Sequence, residues 1–173
     1  SIKFGEAVRQ LALQAGMQPY KFSKFDAEKE KRYEKYKNIL KDFTEYHHKM
    51  LFSENTNALQ YLENRGIGKN IILEFKLGYV PHNSEFYKII SQKFSEKEIM
   101  ETGLFFKDEK RNRFANRFNS RIIFPIKNIV GDVIAFGGRI IKDGKFAKYI
   151  NSPETEFYKK GRHVFNLEKA KSF

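Results

Sequence analysis

The sequence predicts an α+β fold, in which N-terminal helices are followed by a small, mostly antiparallel, basic β-sheet subdomain. Before Gly103, apolar residues recur at alternating spacings of three and four, which is the period of helices that pack on a core. After Gly103, short β-branched and aromatic runs alternate with turn residues, which indicates strands. We therefore divide the chain into a helix and linker at residues 1–26, a helical part at 27–103 and a basic β-rich subdomain at 104–173.

Charge and composition narrow the class of protein. The net charge of +12 favours a polyanionic partner, either nucleic acid or an anionic membrane, although a lysine-rich proteome would explain part of the excess. The chain contains no cysteine, which excludes disulfides and cysteine-ligated zinc, and its histidines lack metal-ligand spacing. No apolar run approaches the ~20 residues that span a bilayer, and residues 1–16 lack a signal-peptide pattern. We expect a soluble, intracellular protein.

The N-terminal helices are predicted from their apolar stripes. Residues 1–16 have an amphipathic helical pattern, and residues 21–26 have the mixed composition of a linker. The longest helix is predicted at residues 27–51, where one stripe has helical spacing. The stripe consists of Tyr33, Tyr36, Leu40, Phe43, His47 and Met50. It fits packing against the same chain better than a coiled-coil seam, because it is short and aromatic, and we expect His47 and His48 to be packing or partly exposed residues.

Shorter elements complete the helical part. They follow in the order helix, helix, short extended segment and helix, at residues 57–65, 69–75, 77–81 and 84–94. Ser95 and Glu98 then form a capping box, in which the serine oxygen and the glutamate carboxylate satisfy free backbone amides at a helix start. The helix that begins there is expected to end near Gly103.

Strands are predicted where β-branched and aromatic residues cluster between turn signals, at residues 104–107, 121–126 and 133–136. Residues 108–113 form a charged turn, and residues 128–132 form the turn between the two longer strands. Asp143-Gly144 is a hairpin signal, and Asn151-Ser152-Pro153 ends the strand that follows it.

Gly137 and Gly138 come directly before Arg139, at the end of the second long strand. The spacing fits a glycine bulge that bends the sheet, while the missing Cβ atoms would also allow a backbone or a phosphate to come close. No P-loop or dinucleotide fingerprint is present, because the pair leads into Ile140 and not into a helix. Arg121 opens one strand and Arg139 closes the next, so we interpret these cations as side-chain ligands of an anion.

A family resemblance is carried by runs in the second half of the chain. They are Arg117-Phe118, Arg121-Ile-Ile-Phe-Pro-Ile126, Gly131-Asp-Val-Ile-Ala-Phe-Gly-Gly-Arg139, Lys148-Tyr-Ile-Asn-Ser-Pro-Glu-Thr155 and Lys160-Gly161. In this order and at these gaps they resemble the catalytic core of bacterial DnaG-type DNA primases, and the run ending in Asn-Ser-Pro-Glu-Thr is the most specific. Residues 58–66, 75–81 and 165–170 also have counterparts there, so the resemblance covers nearly the whole chain.

The resemblance implies a nucleic-acid or nucleotide-binding role for six side chains. Arg121 and Arg139 are expected on the template or phosphate side, and Lys148 and Asn151 near the incoming nucleotide or the template. Lys160 is a further expected cation, and Arg117 is an additional candidate. Guanidinium groups bind phosphate oxygens through two hydrogen bonds at once, and lysine supplies a mobile positive charge. Phe124 and Phe136 fit base-stacking platforms or, at strand positions between apolar neighbours, core residues.

The resemblance also implies where metals bind. Metal-dependent phosphoryl transfer needs clustered carboxylates, and we find none in this sequence; Glu154 reads as a charge at a helix N-terminus. In the family, Mg²⁺ or Mn²⁺ is held by a TOPRIM part whose acidic motifs lie beyond Phe173, and Zn²⁺ by a domain before residue 1. We therefore expect no catalytic residue and no metal in this chain, which should bind nucleic acid without polymerising.

The expected function is that of part of a DNA primase, which synthesises short RNA primers on a single-stranded DNA template. Its expected partners are the template, ribonucleoside triphosphates, the RNA primer–DNA hybrid and, for the full protein, a replicative helicase; no membrane is expected. The expected location is the bacterial cytoplasm, at the nucleoid or replisome. Two alternatives remain: a non-catalytic module that binds single-stranded nucleic acid, and a protein-contact module in which residues 27–51 dock a helicase or a zinc domain.

Overall fold

The computed structural model of the protein describes residues 4–16, 24–53, 57–142 and 146–162. The chain divides into two units, Ser1–Glu34 and Lys35–Phe173. Helix α1 (Phe4–Gln14) belongs to the first unit, and α2 (Lys24–Phe52) runs from the first into the second. Helix α2 thus begins slightly before the predicted residue 27, inside the stretch that we read as a linker.

In the described part of the second unit, four further α-helices lie close to their predicted places, and a 3₁₀ turn that was not predicted follows near the end. They are α3 (Asn57–Glu63), α4 (Lys69–Glu74), α5 (Phe86–Ile90), α6 (Glu96–Glu101) and a 3₁₀ turn at Lys160–Arg162. The capping box is present, since the Ser95 hydroxyl accepts from the Glu98 amide and the Glu98 carboxylate accepts from the Ser95 amide. Helix α5 is shorter than the predicted 84–94, because it starts at Phe86 and ends at Ile90, and turn residues 91–94 lead from there to Ser95.

The strands form a four-stranded antiparallel sheet and a separate hairpin. The sheet contains β1 (Gly78–Val80), β4 (Arg121–Lys127), β5 (Val133–Ile140) and β6 (Tyr149–Asn151), in the order β1-β4-β5-β6. The hairpin pairs β2 (Phe105–Asp108) with β3 (Arg113–Asn116). The predicted α+β class, with helices followed by a small antiparallel sheet, is confirmed. The Asp143-Gly144 signal lies outside the described residues.

Strand β5 is longer than predicted, because it continues through Gly137 and Gly138. The prediction of a glycine bulge there was wrong: the register shifts instead between Ile126 and Lys127. What the glycines allow is close packing. A Cβ atom at Gly138 would lie 2.5 Å from the ring of Phe118, so the absence of a side chain makes room for a core aromatic.

One face of the sheet packs on the second half of α2. Tyr36, Leu40 and Phe43 are buried and share a hydrophobic cluster with Ile123 of β4 and Phe136 of β5. The Phe43 and Phe136 rings lie 5.0 Å apart. The prediction that this part of the helix packs against its own chain is confirmed. Because the cluster includes residues before and after Gly103, both predicted subdomains contribute to one core.

A second cluster covers part of the opposite face. Ile122 of β4 packs with Ala58 and Leu62 of α3 and with Ile72 of α4. Ile122 and Ile123 are consecutive in the strand and therefore point to opposite faces. Helices α3 and α4 thus cover the β1 and β4 side of this face.

The two adjacent histidines of α2 are packing residues. His47 is fully buried and His48 is 7% exposed, so of the two expected alternatives the structure confirms packing. The two rings are buried because α2 approaches β1 closely: a Cβ atom at Gly78 would lie 2.9 Å from the backbone carbon of His47. His48 Nδ1 donates to the Leu77 carbonyl at 2.5 Å. In the described ranges, no helix has both the length and the apolar character needed to cross a membrane.

Candidate nucleic-acid interface

An open groove lies on the sheet face that α3 and α4 leave partly uncovered. In the sheet register, Phe124 of β4 is opposite Gly137 of β5, which is opposite Asn151 of β6. Directly paired residues share a face, so these three positions form one row across the sheet. Gly137 has no side chain, and the middle of the row is therefore open between an aromatic ring and an amide.

The groove has a volume of about 520 Å³. Its lining residues are Phe124, Ile126, Gly137, Gly138, Tyr149, Ile150, Asn151, Tyr158 and Lys160. Aromatic surface, one amide and one flexible cation thus meet in a single open depression. This combination fits a nucleic-acid strand, whose bases offer flat apolar faces and whose backbone is anionic.

The Asn-Ser-Pro-Glu-Thr segment holds its asparagine at the groove. Ser152 is buried; its hydroxyl accepts from the Phe136 amide at 3.0 Å, and its own amide donates to the Phe136 carbonyl at 2.8 Å. Thr155 is anchored to α2, since its hydroxyl lies 3.0 Å from the Tyr36 hydroxyl. With the segment fixed to β5 and α2, Asn151 remains exposed at the groove.

Lys160 is placed by a local turn. Its backbone amide donates to Glu154 Oε1 at 3.0 Å, and Lys159 Nζ lies 3.7 Å from Glu154 Oε2. Glu154 therefore caps the short 3₁₀ turn, in keeping with its predicted role as a charge at a helix start. The Lys160 side chain is exposed and borders the groove, where its charge can meet a phosphate.

Arg139 lies beside the groove, on the same face of the sheet, and is 8% exposed. Its guanidinium carbon is 4.7 Å from the centre of the Tyr149 ring and 5.3 Å from the centre of the Tyr61 ring. Both distances are in the range of cation–π contacts. The guanidinium is thus held between two tyrosines and has little surface left for a phosphate.

Arg121 lies on the other face of the sheet. It is 6% exposed, and its Nη1 donates to the Lys148 carbonyl at 3.3 Å. Burial lowers the pKa of its guanidinium, which remains cationic at neutral pH because the ordinary value is so high. The contact ties the backbone before β6 to the start of β4, and the Lys148 side chain is exposed at this point.

Arg117 is half-buried at the base of the β2–β3 hairpin. Its Nε donates to the Gly103 carbonyl at 3.0 Å, and its guanidinium lies 5.5 Å from the centre of the Phe106 ring. Arg117 is not among the groove residues.

The six predicted site residues therefore do not form one cluster. Asn151 and Lys160 meet at the groove. Lys148 is exposed directly before β6, and Arg139 contacts the Tyr149 ring on the same face of the sheet. Arg121 and Arg117 make structural contacts elsewhere. Of the two phenylalanines, Phe136 is a core residue, whereas Phe124 is half-buried and lines the groove.

Sequence reasoning missed the tyrosines of this region. Tyr149 is 60% exposed and lines the groove, and it lies two positions before Asn151. Alternation along a strand places such residues on one face, so this signal was available for Tyr149. Nothing in the sequence indicated that Tyr61, from a helix far earlier in the chain, contacts Arg139.

The residues present do not suit a catalytic metal. Among the described residues, no group of three or more histidine, aspartate or glutamate side chains could hold a metal ion. Glu154 binds the backbone of Lys160, and Asp132 lies 3.8 Å from Lys37 Nζ.

Comparison with known proteins identifies the family of the chain. The family model described as DNA primase catalytic core, N-terminal domain, matches residues 45–171. A DNA primase of Deinococcus radiodurans is 36% identical over 174 residues, which cover 99% of this chain and 29% of that protein. The chain thus spans less than a third of that relative's length.

Solved structures with the same fold include two informative examples. The Aquifex aeolicus primase, comprising zinc-binding and RNA polymerase domains, matches with a TM-score of 0.74 at 31% identity, covering 99% of this chain and 40% of that one. A DnaG primase catalytic domain bound to single-stranded DNA matches with a TM-score of 0.73 at 28% identity, covering 82% of this chain and 44% of that one.

Proposed function

The chain belongs to the family of the N-terminal domain of the DNA primase catalytic core, and on this premise we propose that it binds the single-stranded DNA template in a primase that makes short RNA primers for replication. The observation that carries the proposal is the groove beside β6, where Asn151 and Lys160 meet Phe124 and Tyr149. A related catalytic domain has been solved with single-stranded DNA bound, which supports the same class of ligand here.

The groove offers each part of a strand a suitable contact. Lys160 and Lys148 are exposed cations that can pair with phosphate oxygens as point charges. The Asn151 amide can donate to and accept from a base edge or a sugar hydroxyl. Gly137 lines the groove, and because it has no side chain a base or sugar can approach the sheet at this point. A Cβ atom at Gly137 would lie 3.3 Å from the Asn151 amide oxygen.

The proposal includes partners and metals of the whole primase. Ribonucleoside triphosphates and the RNA primer–DNA hybrid present the same phosphates and bases as the template, so they are further ligands of this basic surface. Mg²⁺ or Mn²⁺ for nucleotidyl transfer and a structural Zn²⁺ belong to other parts of the protein; the Aquifex relative includes a zinc-binding domain. A replicative helicase is the proposed protein partner, at the bacterial replisome.

Of the two alternatives, the protein-contact module is disfavoured by burial. It requires Tyr36, Leu40 and Phe43 to be accessible to a partner, and all three are buried in the core of their own chain. A non-catalytic module that binds single-stranded nucleic acid would use the same groove. Primer synthesis by the whole protein separates that alternative from the primase proposal.

The direct test is fluorescence anisotropy of a labelled single-stranded oligonucleotide, titrated with the chain over a series of salt concentrations. Lys148→Ala and Lys160→Ala should each weaken binding and lower the slope of log affinity against log salt by about 0.7, because each removes one phosphate contact to a single strand. Arg139→Ala should weaken binding with a smaller change in slope, because its guanidinium is buried between tyrosines.

The matched control is Lys88→Ala, which removes the same charge from α5. Lys88 is exposed and pairs with Glu85. Phe86 of the same helix packs on Phe43 of α2, on the sheet face opposite the groove. The control should retain the wild-type slope. Equal effects of all three lysine variants would mean that binding follows diffuse charge and not the groove.

A further inference from the structure

A series of cation–π contacts between alternating arginines and tyrosines connects α3 to β6, the edge strand of the sheet. The Arg65 guanidinium lies 4.9 Å from the centre of the Tyr61 ring, Arg139 is 5.3 Å from the same ring, and Arg139 is 4.7 Å from Tyr149. Three cation–π contacts therefore follow one another, and the last aromatic ring of the series is that of Tyr149.

Arg139 is placed to support Tyr149 and not to bind an anion directly. Its side chain is more than nine-tenths buried, and within the described part of the chain its buried Nε has no hydrogen-bond partner. Arg139 is directly opposite Tyr149 in the β5–β6 register, so both side chains stand on the same face of the sheet. The guanidinium covers one face of the tyrosine ring.

Tyr149 is nevertheless 60% exposed and lines the groove. Burying an aromatic ring usually contributes to stability, and a large exposed ring that is held in place on one side offers its other side for contact. The ring stands in the same groove as Asn151 and Lys160. A ligand stacked on Tyr149 would therefore have an amide and a cation within the same depression.

We propose that Tyr149 is a stacking platform for a nucleobase, and that Arg139 is the positioning residue that holds its ring. Every nucleobase has a flat π-face, so such a platform accepts any sequence. The base would lie on the open face of the ring, with its phosphate near Lys160. This inference rests on the proposed function, because it requires that the groove bind a nucleic-acid strand or a nucleotide.

The test compares two oligonucleotides of equal length, one with bases and one abasic, which carry the same phosphates. Tyr149→Ala should weaken binding of the base-containing strand by about fivefold to 150-fold, the range measured for loss of one base–aromatic stack. Binding of the abasic strand should not change. Tyr149→Phe should retain wild-type affinity, and Tyr149→Leu, which still covers Arg139 but has no ring, should behave like Tyr149→Ala.

Phe52→Ala is the matched control, because Phe52 is an exposed aromatic (39%) that packs on the His48 ring and does not line the groove. It should bind both strands as the wild type does. Arg139→Gln should reproduce part of the Tyr149→Ala effect on the base-containing strand, since it removes the support and leaves the ring. Circular dichroism checks that each variant is folded, and the exposed position of Tyr149 keeps its variants informative if Arg139→Gln is unstable.

The stacked base has two possible sources, a DNA strand and a free ribonucleotide. We would place 2-aminopurine either in the oligonucleotide or in a ribonucleoside triphosphate, and measure the fluorescence quenching that stacking on Tyr149 causes. Quenching lost in Tyr149→Leu but retained in Tyr149→Phe, for either probe, supports the platform and identifies the source. If Tyr149→Leu and Tyr149→Phe quench both probes equally, the proposal that Tyr149 is a stacking platform is overturned.

Failure of this inference can be told from failure of the proposed function. If the wild-type chain binds neither oligonucleotide nor the nucleotide, both are wrong. If it binds the strands in a salt-dependent manner and Tyr149→Ala weakens both equally or neither, the groove binds phosphates only and the platform is wrong.

Discussion

Arg121 and Arg139 lie on opposite faces of the same pair of strands. Arg121 is opposite Ile140 and Arg139 is opposite Ile122, so the two arginines are one step out of phase and their side chains diverge. Arg121 points to the α2 side, where it is 6% exposed and bonds the Lys148 carbonyl. Two arginines with similar sequence surroundings therefore have different roles.

This relationship predicts that Arg121 contributes mainly to stability. Arg121→Ala should lower the free energy of unfolding by about 1.5–3 kcal/mol, because it removes a buried hydrogen bond from a charged group. The salt slope of DNA binding should remain as in the wild type. Urea denaturation measures the free energy of unfolding, and fluorescence anisotropy measures the salt slope of DNA binding. Lys160→Ala is the reciprocal variant, which should retain stability and reduce the salt slope. A reduced slope in a fully stable Arg121→Ala would contradict the assignment.

Two features of the structure require a glycine at position 103: a positive φ and a close contact with a neighbouring side chain. Its φ is +68°, and a Cβ atom there would lie 2.5 Å from Pro153 Cγ. Gly103→Ala should lower the free energy of unfolding by about 2–4 kcal/mol, which combines left-handed strain with overpacking. Gly66→Ala is the control, because φ is +75° there but nothing lies within 4 Å; it should show only the strain, about 1 kcal/mol. Equal losses in urea denaturation would mean that the contact with Pro153 is unimportant.

The two neighbouring glycines of β5 should respond differently to alanine. At Gly138, a Cβ atom would lie 2.5 Å from the buried Phe118 ring, so Gly138→Ala should destabilise the protein by about 1–3 kcal/mol. At Gly137, the nearest atom is the Asn151 amide oxygen at 3.3 Å, which belongs to an exposed side chain that can move. Gly137→Ala should therefore keep its thermal stability and weaken DNA binding at the groove. The reverse pattern would show that the glycines are needed for another reason.

His47 makes stability depend on pH. Burial lowers the pKa of its imidazole to about 4, and the ring is held neutral with Nδ1 donating to the Phe43 carbonyl at 2.9 Å and Nε2 accepting from the Ser84 hydroxyl at 2.8 Å. The unfolded chain gains this proton near pH 6.5 and the folded chain only near pH 4, so the contribution is complete above pH 6.5 and is lost as the pH falls.

The expected slope is at most about 1.4 kcal/mol per pH unit between pH 6.5 and pH 4, measured by urea denaturation at several pH values. His47→Gln, which cannot gain a proton, should be less stable at pH 7 but should lose stability less steeply on acidification. His82→Gln is the control, because His82 is exposed, and it should keep the wild-type slope. Identical slopes in all three proteins would exclude His47 as the source.

The elements that sequence reasoning placed best are those with local signals. The capping box at Ser95 and Glu98, the stripe of Tyr36, Leu40 and Phe43, and the strand at residues 121–126 all follow from spacing and residue type, and the structure confirms them. The motif runs also identified the family. Such features depend on neighbours within a turn or a strand, and the sequence contains those neighbours explicitly.

The errors concern contacts between distant parts of the chain. The pattern at Gly137 and Gly138 predicted a bulge, but Gly138 makes room for the Phe118 ring and Gly137 lines the groove beside Asn151. The pattern likewise could not show that α2 and β1 approach closely enough to bury His47. These outcomes depend on which surfaces are brought together in packing, and local periodicity has no information on this.

By itself, the sequence determined the α+β class, the order of helices and strands, the family and the basic character of the surface. Only the tertiary structure decided that Arg121 is a buried structural residue, that Arg139 stacks between Tyr61 and Tyr149, and that Asn151 and Lys160 meet at one groove. The physical reason is that local spacing selects secondary structure. The face on which a side chain lies, and the residues that it contacts, are set by strand register and by the long-range burial of apolar surface against α2 and α3.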